Sequence, residues 1–152
     1  MTTKFSEVYD LFLGQMDDFE LSQIDALELE DVLLKYLINA TSNLQESMED
    51  INNIDVANKD FGFNMGFVQK SIFAKAMKLE WLREKKYSAE LMKKSYGDRD
   101  FTAVQGYNYL KELNNVELDL EKQIRLALIE YSYREEFIDW TTSSWLIIVN
   151  NT

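Results

Sequence analysis

The sequence predicts an all-α fold: a single-domain helical bundle of about five helices, with one long C-terminal helix and an extended apolar C-terminal tail. Two observations support this prediction. Apolar residues recur at spacings of three and four along most of the chain, which is the period of an amphipathic helix. The length of 152 residues, with 46% hydrophobic and 28% charged residues, is typical of one globular domain with one core.

Two helices are predicted in the first third of the chain. Ser6 is a suitable N-cap for a short first helix that ends before Gly14, and a loop at 17–20 follows. The apolar stripe of this helix consists of Phe5, Val8, Phe12 and Leu13. A second helix starts near residue 25, with acidic residues close to the positive end of its dipole. Its apolar side consists of Leu29, Leu33, Tyr36, Leu37, Ala40 and Leu44.

The middle of the chain is predicted to contain an irregular region and two further helices. Residues 47–66 are polar and rich in asparagine, and we expect the segment Phe61-Gly62-Phe63 to pack into the core rather than form a binding lip. A third helix covers 67–86, with Val68, Ile72, Ala76, Leu79 and Leu82 facing inward. A fourth helix begins at Ser88 and stops at Gly97, because glycine suits the left-handed position that ends helices.

The last helix is predicted to be the longest, at 101–134. At 1.5 Å per residue it spans roughly 50 Å, which is more than a compact domain of this size needs. We therefore expect it either to organise the bundle or to project into a neighbour. Its apolar side consists of Val104, Leu110, Leu113, Leu120, Ile124, Leu128 and Tyr131.

The C-terminal segment after Asp139 is uncharged and dense in aromatic and β-branched residues. Left exposed, such a segment would promote aggregation. It therefore either folds back over its own bundle or docks on a partner, as an added strand or as apolar side chains filling a groove. We divide the chain into a bundle domain at 1–139 and a docking tail at 140–152. The candidate docking residues are Trp140, Trp145, Leu146, Ile147, Ile148 and Val149.

Charge is distributed unevenly. The net charge is −11, and residues 1–55 account for all of it with 13 acidic and two basic side chains. Residues 64–94 carry eight basic and three acidic side chains, a local charge of +5. These regions are solvated faces, or pack together inside one molecule, or form a head-to-tail interface between subunits that can close into a ring. The candidate acidic face, between subunits or lining a lumen, is Asp17, Asp18, Glu20, Glu28, Glu30 and Asp31; the candidate basic face is Lys70, Lys75, Lys78, Arg83, Lys85 and Lys86.

The composition argues against catalysis and against cofactors. The chain contains no cysteine and no histidine, which excludes ordinary zinc sites, thiol nucleophiles and a Ser-His-Asp relay. No EF-hand spacing and no glycine-rich phosphate loop is present. We therefore expect no enzyme, no cofactor and no metal. The start of the chain does not resemble a signal peptide, and no stretch of about 18 apolar residues could span a membrane.

Acidic charge also disfavours tight binding of nucleic acid, which depends on cations that neutralise phosphates. One alternative remains in the third helix, where Trp81 and Tyr87 lie near Lys85 and Lys86 and could stack on bases. A second alternative is that the acidic chain mimics DNA and holds a DNA-binding enzyme.

One stretch resembles a known class of proteins. It runs SAELMKKSYGDRDF at 88–101, continues as YLKEL at 109–113 and ends a long charged helix with IEY at 129–131. The segments FSEVYDLF at 5–12 and Leu33 to Ala40 fit the same pattern. This sequence looks like small structural proteins of tailed bacteriophages, several of which resemble head–tail connector, or adaptor, proteins. The regions 47–66 and 140–152 are not covered by the resemblance.

The resemblance implies an all-α adaptor that forms a ring, commonly of about twelve copies, beneath the portal at the head vertex. Its partners would be itself, the portal protein and the next neck or tail protein, and DNA would pass without specific binding. Its location would be the neck of the virion, after synthesis in the host cytoplasm. Two alternatives stay open: an acidic host-directed binding module, which is a DNA mimic or an inhibitor, and another tail-completion ring protein.

Overall fold

A computed structural model of the chain describes residues 1–16, 19–45, 48, 51, 53–100 and 103–149; the side chains at 19–20, 92–100, 103–105 and 135–149 are outside this description. The described part contains five helices and no strand beyond isolated bridges, so the prediction of an all-α bundle is confirmed. The helices are α1 (Phe5–Leu13), α2 (Phe19–Gln23), α3 (Ala26–Leu44), α4 (Phe67–Asp100) and α5 (Ala103–Val149).

The first helix starts earlier than its predicted cap implies. Lys4, not Ser6, occupies the N-cap position with extended backbone angles, and its amide donates a 3.0 Å hydrogen bond to the Glu7 carboxylate. The prediction for Ser6 was wrong because an acidic residue in the first turn satisfies a free amide as well as a hydroxyl cap does. The buried side of α1 consists of Phe5, Val8, Tyr9 and Phe12.

The third helix follows its sequence pattern closely. Asp25 is the N-cap, and its side chain accepts a 2.8 Å hydrogen bond from the amide of Ala26. This start agrees with the prediction near residue 25. Five of the six predicted apolar positions are buried, and Leu29 is half-buried against the core.

A single helix, α4, replaces the third and fourth helices of the sequence prediction. It continues for 34 residues through the predicted boundary at 87 and past Gly97. Ser88 interrupts the apolar pattern, and a glycine inside a helix costs only about 1 kcal/mol, which tertiary contacts can offset. The element that packs along α4 here is α5, and upstream of Ser88 its Glu117 and Glu121 bind Arg83.

The last helix is longer than predicted. It contains 47 residues, about 70 Å, and runs antiparallel to α4 from a connection of only two residues. The backbone of 140–149 belongs to this helix, so an added strand formed by these residues does not match their conformation here. Whether the docking tail folds back or meets a partner stays a prediction, because its side chains lie outside the described part.

Helix α4 forms the centre of the bundle, because α1, α3 and α5 all pack on it. Phe73 of α4 is fully buried, and its ring lies edge-on to that of Phe61 at 5.1 Å between centroids. Phe61 in turn contacts Phe5 edge-on at 4.9 Å, which confirms core packing for the irregular region. Val68, predicted to face inward, is 39% exposed. Both Phe67 and Val68, in the first turn of α4, are exposed, and the buried side begins one turn later at Ile72.

The N-terminal segment holds the irregular region against the bundle. The amide of Phe61 donates to the carbonyl of Thr3 at 3.0 Å, and the amide of Thr3 donates to the carbonyl of Phe63 at 2.9 Å. Between these two phenylalanines, Gly62 has a φ of 75°, and a side chain there would meet the Asn53 carbonyl. Glycine is therefore required at this turn.

Asp60 is the charged centre of this attachment. Its carboxylate accepts hydrogen bonds from the Lys4 ammonium at 2.8 Å, from the Thr2 hydroxyl and from the Gly62 amide at 2.7 Å. These bonds, that of Lys4 first, lower the pKa of Asp60 from 3.8 to about 2. The ionised carboxylate is thus preferred in the folded state.

We expect Phe73→Ala to lower the free energy of unfolding by about 3–5 kcal/mol, because it removes a fully buried ring that packs against Phe61 of the irregular region. Phe67→Ala is the matched control on the same helix. Phe67 is 72% exposed, and its loss should change stability by no more than about 0.5 kcal/mol. Urea unfolding followed by circular dichroism measures both. An equal decrease in the free energy of unfolding of the two variants would contradict the buried position of Phe73.

We expect Asp60→Asn to reduce stability most above about pH 4, where the wild-type carboxylate is ionised in both the folded and the unfolded states. Because the folded pKa is depressed, this contribution fades as the pH falls from 3.8 toward about 2, and the two proteins should converge. Urea titrations at steps between pH 2 and 7 measure the difference. Asp10→Asn, at an exposed helical position, is the control. A stability difference between the wild type and Asp60→Asn that does not change with pH would contradict the role of the charge.

Candidate interaction surfaces

The acidic candidates that can be placed lie on α3. Glu28 and Asp31 are exposed, whereas Glu30 is half-buried and binds the Lys59 ammonium. Asp17, Asp18 and the side chain of Glu20 lie outside the described residues. Helical spacing groups Asp31 with Leu27 and Ile38, on the side of α3 opposite its buried residues. Leu27 is 76% exposed, so this side of the helix combines carboxylates with exposed apolar groups.

The basic candidates on α4 mostly contact groups of their own chain. Lys70 binds Glu7 of α1 at 2.6 Å, and the ammonium of Lys78 donates to the Gln15 carbonyl at 3.1 Å. Lys85 lies over the ring of Trp81, with 5.9 Å from its ammonium nitrogen to the ring centroid. These contacts agree with one of the three possibilities given by the sequence, namely that the oppositely charged regions pack together inside one molecule. A role of the same face between subunits stays a prediction.

Arg83 is the most connected cation of this set. Its guanidinium binds Glu80 on the same helix at 2.8 Å, and Glu117 and Glu121 on α5 at 3.3 and 2.9 Å. Lys86 adds a 2.8 Å ion pair to Glu117. Burial disfavours the charge of Glu117, but the hydrogen bonds from Lys86 and Arg83 outweigh it and lower the pKa of Glu117. These ion pairs hold α5 against α4 at the position where the apolar core ends.

The remaining basic candidate and the proposed stacking residues fit no shared site for bases. Lys75 is half-buried and forms no ion pair with a described carboxylate. Trp81 packs partly buried against the core, while Tyr87 is exposed one turn and a half further along α4. Lys86 is bound to Glu117, and Lys85 and Trp81 contact each other. Of the four residues considered for binding nucleic acid, these three therefore already have contacts within the chain.

Helix α5 has two apolar sides, of which the sequence analysis identified one. Leu120 and Ile124 are buried, with Leu128 and Tyr131 packed against the core, as predicted. The opposite side carries large exposed residues, and four of them lie between 118 and 133: Leu118, Leu126, Ile129 and Tyr133. The signal was present in the sequence, because these residues also recur at spacings of three, four and eight.

The cations on this second side of α5 differ from those of α4. Lys122 and Arg125 are exposed, and neither forms an ion pair with a carboxylate in the described part of the chain. By helical periodicity they share the side that carries Leu118 and Ile129. The middle of this outward side of α5 is therefore apolar and positively charged, and the exposed carboxylates Asp119 and Glu130 lie along its edge.

A small cavity between α1, α3 and the irregular region is lined by Phe5, Tyr9, Glu30, Asp31, Leu34, Val56 and Lys59. Its volume is about 90 Å³, well below the roughly 300–1,000 Å³ of ligand pockets. Burial, and secondarily the charge of Glu30, raises the pKa of Tyr9 to about 12, so its hydroxyl stays neutral. The cavity has the size of a packing defect.

Neither a metal-binding cluster nor a membrane-spanning helix is present among the described residues. Within that part of the chain, no three acidic side chains cluster as a metal ion would require. None of its helices is long and apolar enough to cross a membrane.

Comparison with known proteins finds no matching family model, no similar curated protein and no similar solved structure. A functional conclusion therefore depends on the surfaces described above and on the resemblance carried by residues 88–131.

Proposed function

We propose that the chain is a structural component of a phage virion neck, a ring-forming head–tail adaptor that docks on the portal and lets DNA pass. The observation that carries the assembly part is the outward side of α5, where four large apolar residues are exposed along one helix. The neck part rests on the resemblance of residues 88–131 to head–tail connector proteins.

Exposed apolar residues are common singly, but a continuous row on one helix is typical of a surface that another chain covers. The residues from Leu118 to Tyr133 span 15 positions, about 22 Å, and each is at least 45% exposed. Such a row is uncommon on a monomer. It supports a function that consists of contacts between proteins.

The length of α5 supports the same function. A compact domain of 152 residues has a radius of gyration of about 15 Å, whereas α5 measures about 70 Å. Leu120 and Ile124, near its middle, are the buried residues that attach it to the bundle. A helix of this length reaches beyond a single domain, as expected of an element that joins neighbouring components.

The charge distribution supports passage of DNA without binding. The first 55 residues carry the entire net charge of −11, and the cations Lys70, Arg83 and Lys86 of α4 are bound to carboxylates of the same chain. An acidic wall repels phosphates, which prevents a channel from retaining its cargo. In this proposal the acidic face of α3 and the preceding residues faces the lumen or the adjoining subunit.

Native mass spectrometry of the purified chain tests the proposal, alone and after mixing with the portal protein of the same phage, at low and moderate salt. We expect a closed ring, or a chain bound to the portal oligomer. A persistent monomer or dimer that ignores the portal would contradict the adaptor function and favour the acidic host-directed binding module.

We expect deletion of residues 141–152 to leave the fold intact and abolish binding to the portal oligomer, because the docking tail supplies that contact. Because the proposal places the contacts of this segment on the portal and not on its own bundle, we expect the free energy of unfolding to change by less than about 1 kcal/mol. Deletion of 150–152 alone is the control and should retain binding. A truncated protein that unfolds would show that the segment belongs to the core.

A further inference from the structure

Two outward helix faces on this chain are complementary in charge. The two faces combine exposed apolar side chains with charges that are mainly negative on α3 and mainly positive on α5. Lys35 also falls within the α3 face by helical spacing, between Asp31 and Ile38, but its charge is already paired with Glu84 of α4. The α3 face consists of Leu27, Glu28, Asp31 and Ile38. The α5 face consists of Leu118, Lys122, Arg125, Leu126, Ile129 and Tyr133.

The two faces point away from the interior of the same molecule. Both helices pack on α4, and both faces lie opposite the residues that make this packing, such as Leu37 on α3 and Ile124 on α5. A single copy therefore cannot cover its α5 face with its own α3 face. Among the described residues, neither face is covered by another part of the same chain, so each is open to a second molecule.

Charge decides which occupant fits the α5 face. Two α5 faces brought together would place Lys122 and Arg125 of both copies in the middle of one interface, with the exposed carboxylates Asp119 and Glu130 only along its edge. Like charges juxtaposed in this way disfavour association. An acidic surface with apolar groups of its own avoids this repulsion, and the α3 face has both properties.

We infer that the α5 face of one copy binds the α3 face of the next copy in a head-to-tail contact. Lys122 and Arg125 pair with Asp31 and Glu28, while Leu126 and Ile129 cover Leu27. Leu118, at the other end of the α5 face, covers Ile38. This inference rests on the proposed function and deepens it, because it assigns the contact that joins neighbouring subunits.

The dimensions of the two faces agree. Leu27 and Ile38 are 11 residues apart in the sequence, about 16 Å along α3, and Leu118 and Tyr133 are about 22 Å apart along α5. Two helices that cross at the usual shallow angle can keep contact over such a length. Because the two faces differ, each copy retains one free face after binding, so the contact repeats until the assembly closes into a ring or extends as a filament.

Charge reversal provides the first test. In sedimentation velocity at low salt, we expect K122E/R125E and E28K/D31K, each alone, to weaken self-association about tenfold or more, because each creates an interface of like charges. An equimolar mixture of the two variants should restore association, since each reversed face then meets an opposite one. The single variants R125E and R134E make the same charge change at two positions of α5, the first inside the α5 face and the second, as the control, outside it. Arg134 is exposed and lies about 120° around the helix from the α5 face, so R134E should shift the dissociation constant less than about twofold.

Cysteine cross-linking provides the second test, and the absence of native cysteine makes it specific. Copies carrying Leu27→Cys are mixed with copies carrying Ile129→Cys and oxidised. We expect disulfide-linked dimers in the mixture and few in either variant alone. Val116→Cys replaces Ile129→Cys in the control. Val116 is similarly exposed but lies on another side of α5, and it should cross-link at background level.

The outcomes separate this inference from the adaptor proposal. A ring that survives both charge reversals, or Ile129→Cys copies that cross-link with each other, overturns the head-to-tail assignment and leaves the adaptor function standing. Restored association in the mixture, but only into filaments that ignore the portal, supports the contact and contradicts the adaptor function. A wild-type chain that stays monomeric at millimolar concentration, together with no disulfide between Leu27→Cys and Ile129→Cys copies, overturns the inference.

Discussion

Burial of the first half of α4 is the constraint on which the rest of this structure depends. Ile72, Phe73 and Met77 are almost completely buried among α1, α3, α5 and the irregular region, and these elements meet through α4. Helix α1 has nine residues, fewer than the roughly 12–15 that an isolated helix needs to be even marginally stable in water. It therefore exists because α4 offers an apolar side to pack on, and the hydrogen bonds of Thr3 then position Phe61 against the same side.

The character of α4 changes at Leu82, and this change explains where prediction from the sequence succeeded and failed. Before Leu82 the apolar period is regular, and spacing alone identified most of the buried side of α1 and α3 and part of that of early α4. It missed the buried Phe73 and Met77, however, and placed the exposed Val68 inside. After Leu82, Arg83 and Lys86 keep the helix attached through Glu117 and Glu121, more than 30 residues away in sequence. A local pattern contains no information about these pairs, so the end of the apolar stripe was interpreted as the end of a helix.

The surfaces were harder to predict than the core for a related reason. The sign of a charged segment can be counted, but whether Lys70 faces Glu7 of its own chain or a carboxylate of a neighbour depends on the tertiary arrangement. The row from Leu118 to Tyr133 was visible in the sequence but was not separated from the buried row, because both have the same period. Only the position of α4 shows which of the two is covered. The side chains of the apolar tail, from Trp140 to Val149, lie outside the described residues, so its role is the part of the proposal that rests on composition.

The arrangement of charge also bears on how subunits with a net charge of −11 could associate. Repulsion between whole subunits acts between charges that are tens of ångströms apart, whereas salt at physiological strength screens charges beyond about 8 Å. Ion pairs across the inferred contact act at about 3–4 Å and are screened much less, particularly where Leu126 and Ile129 exclude water. Moderate salt therefore removes the opposing repulsion before it removes the contact, and association through these faces should be strongest at intermediate ionic strength. A purely electrostatic contact would instead weaken steadily as salt is added, so the shape of this dependence reports how much the apolar side chains contribute.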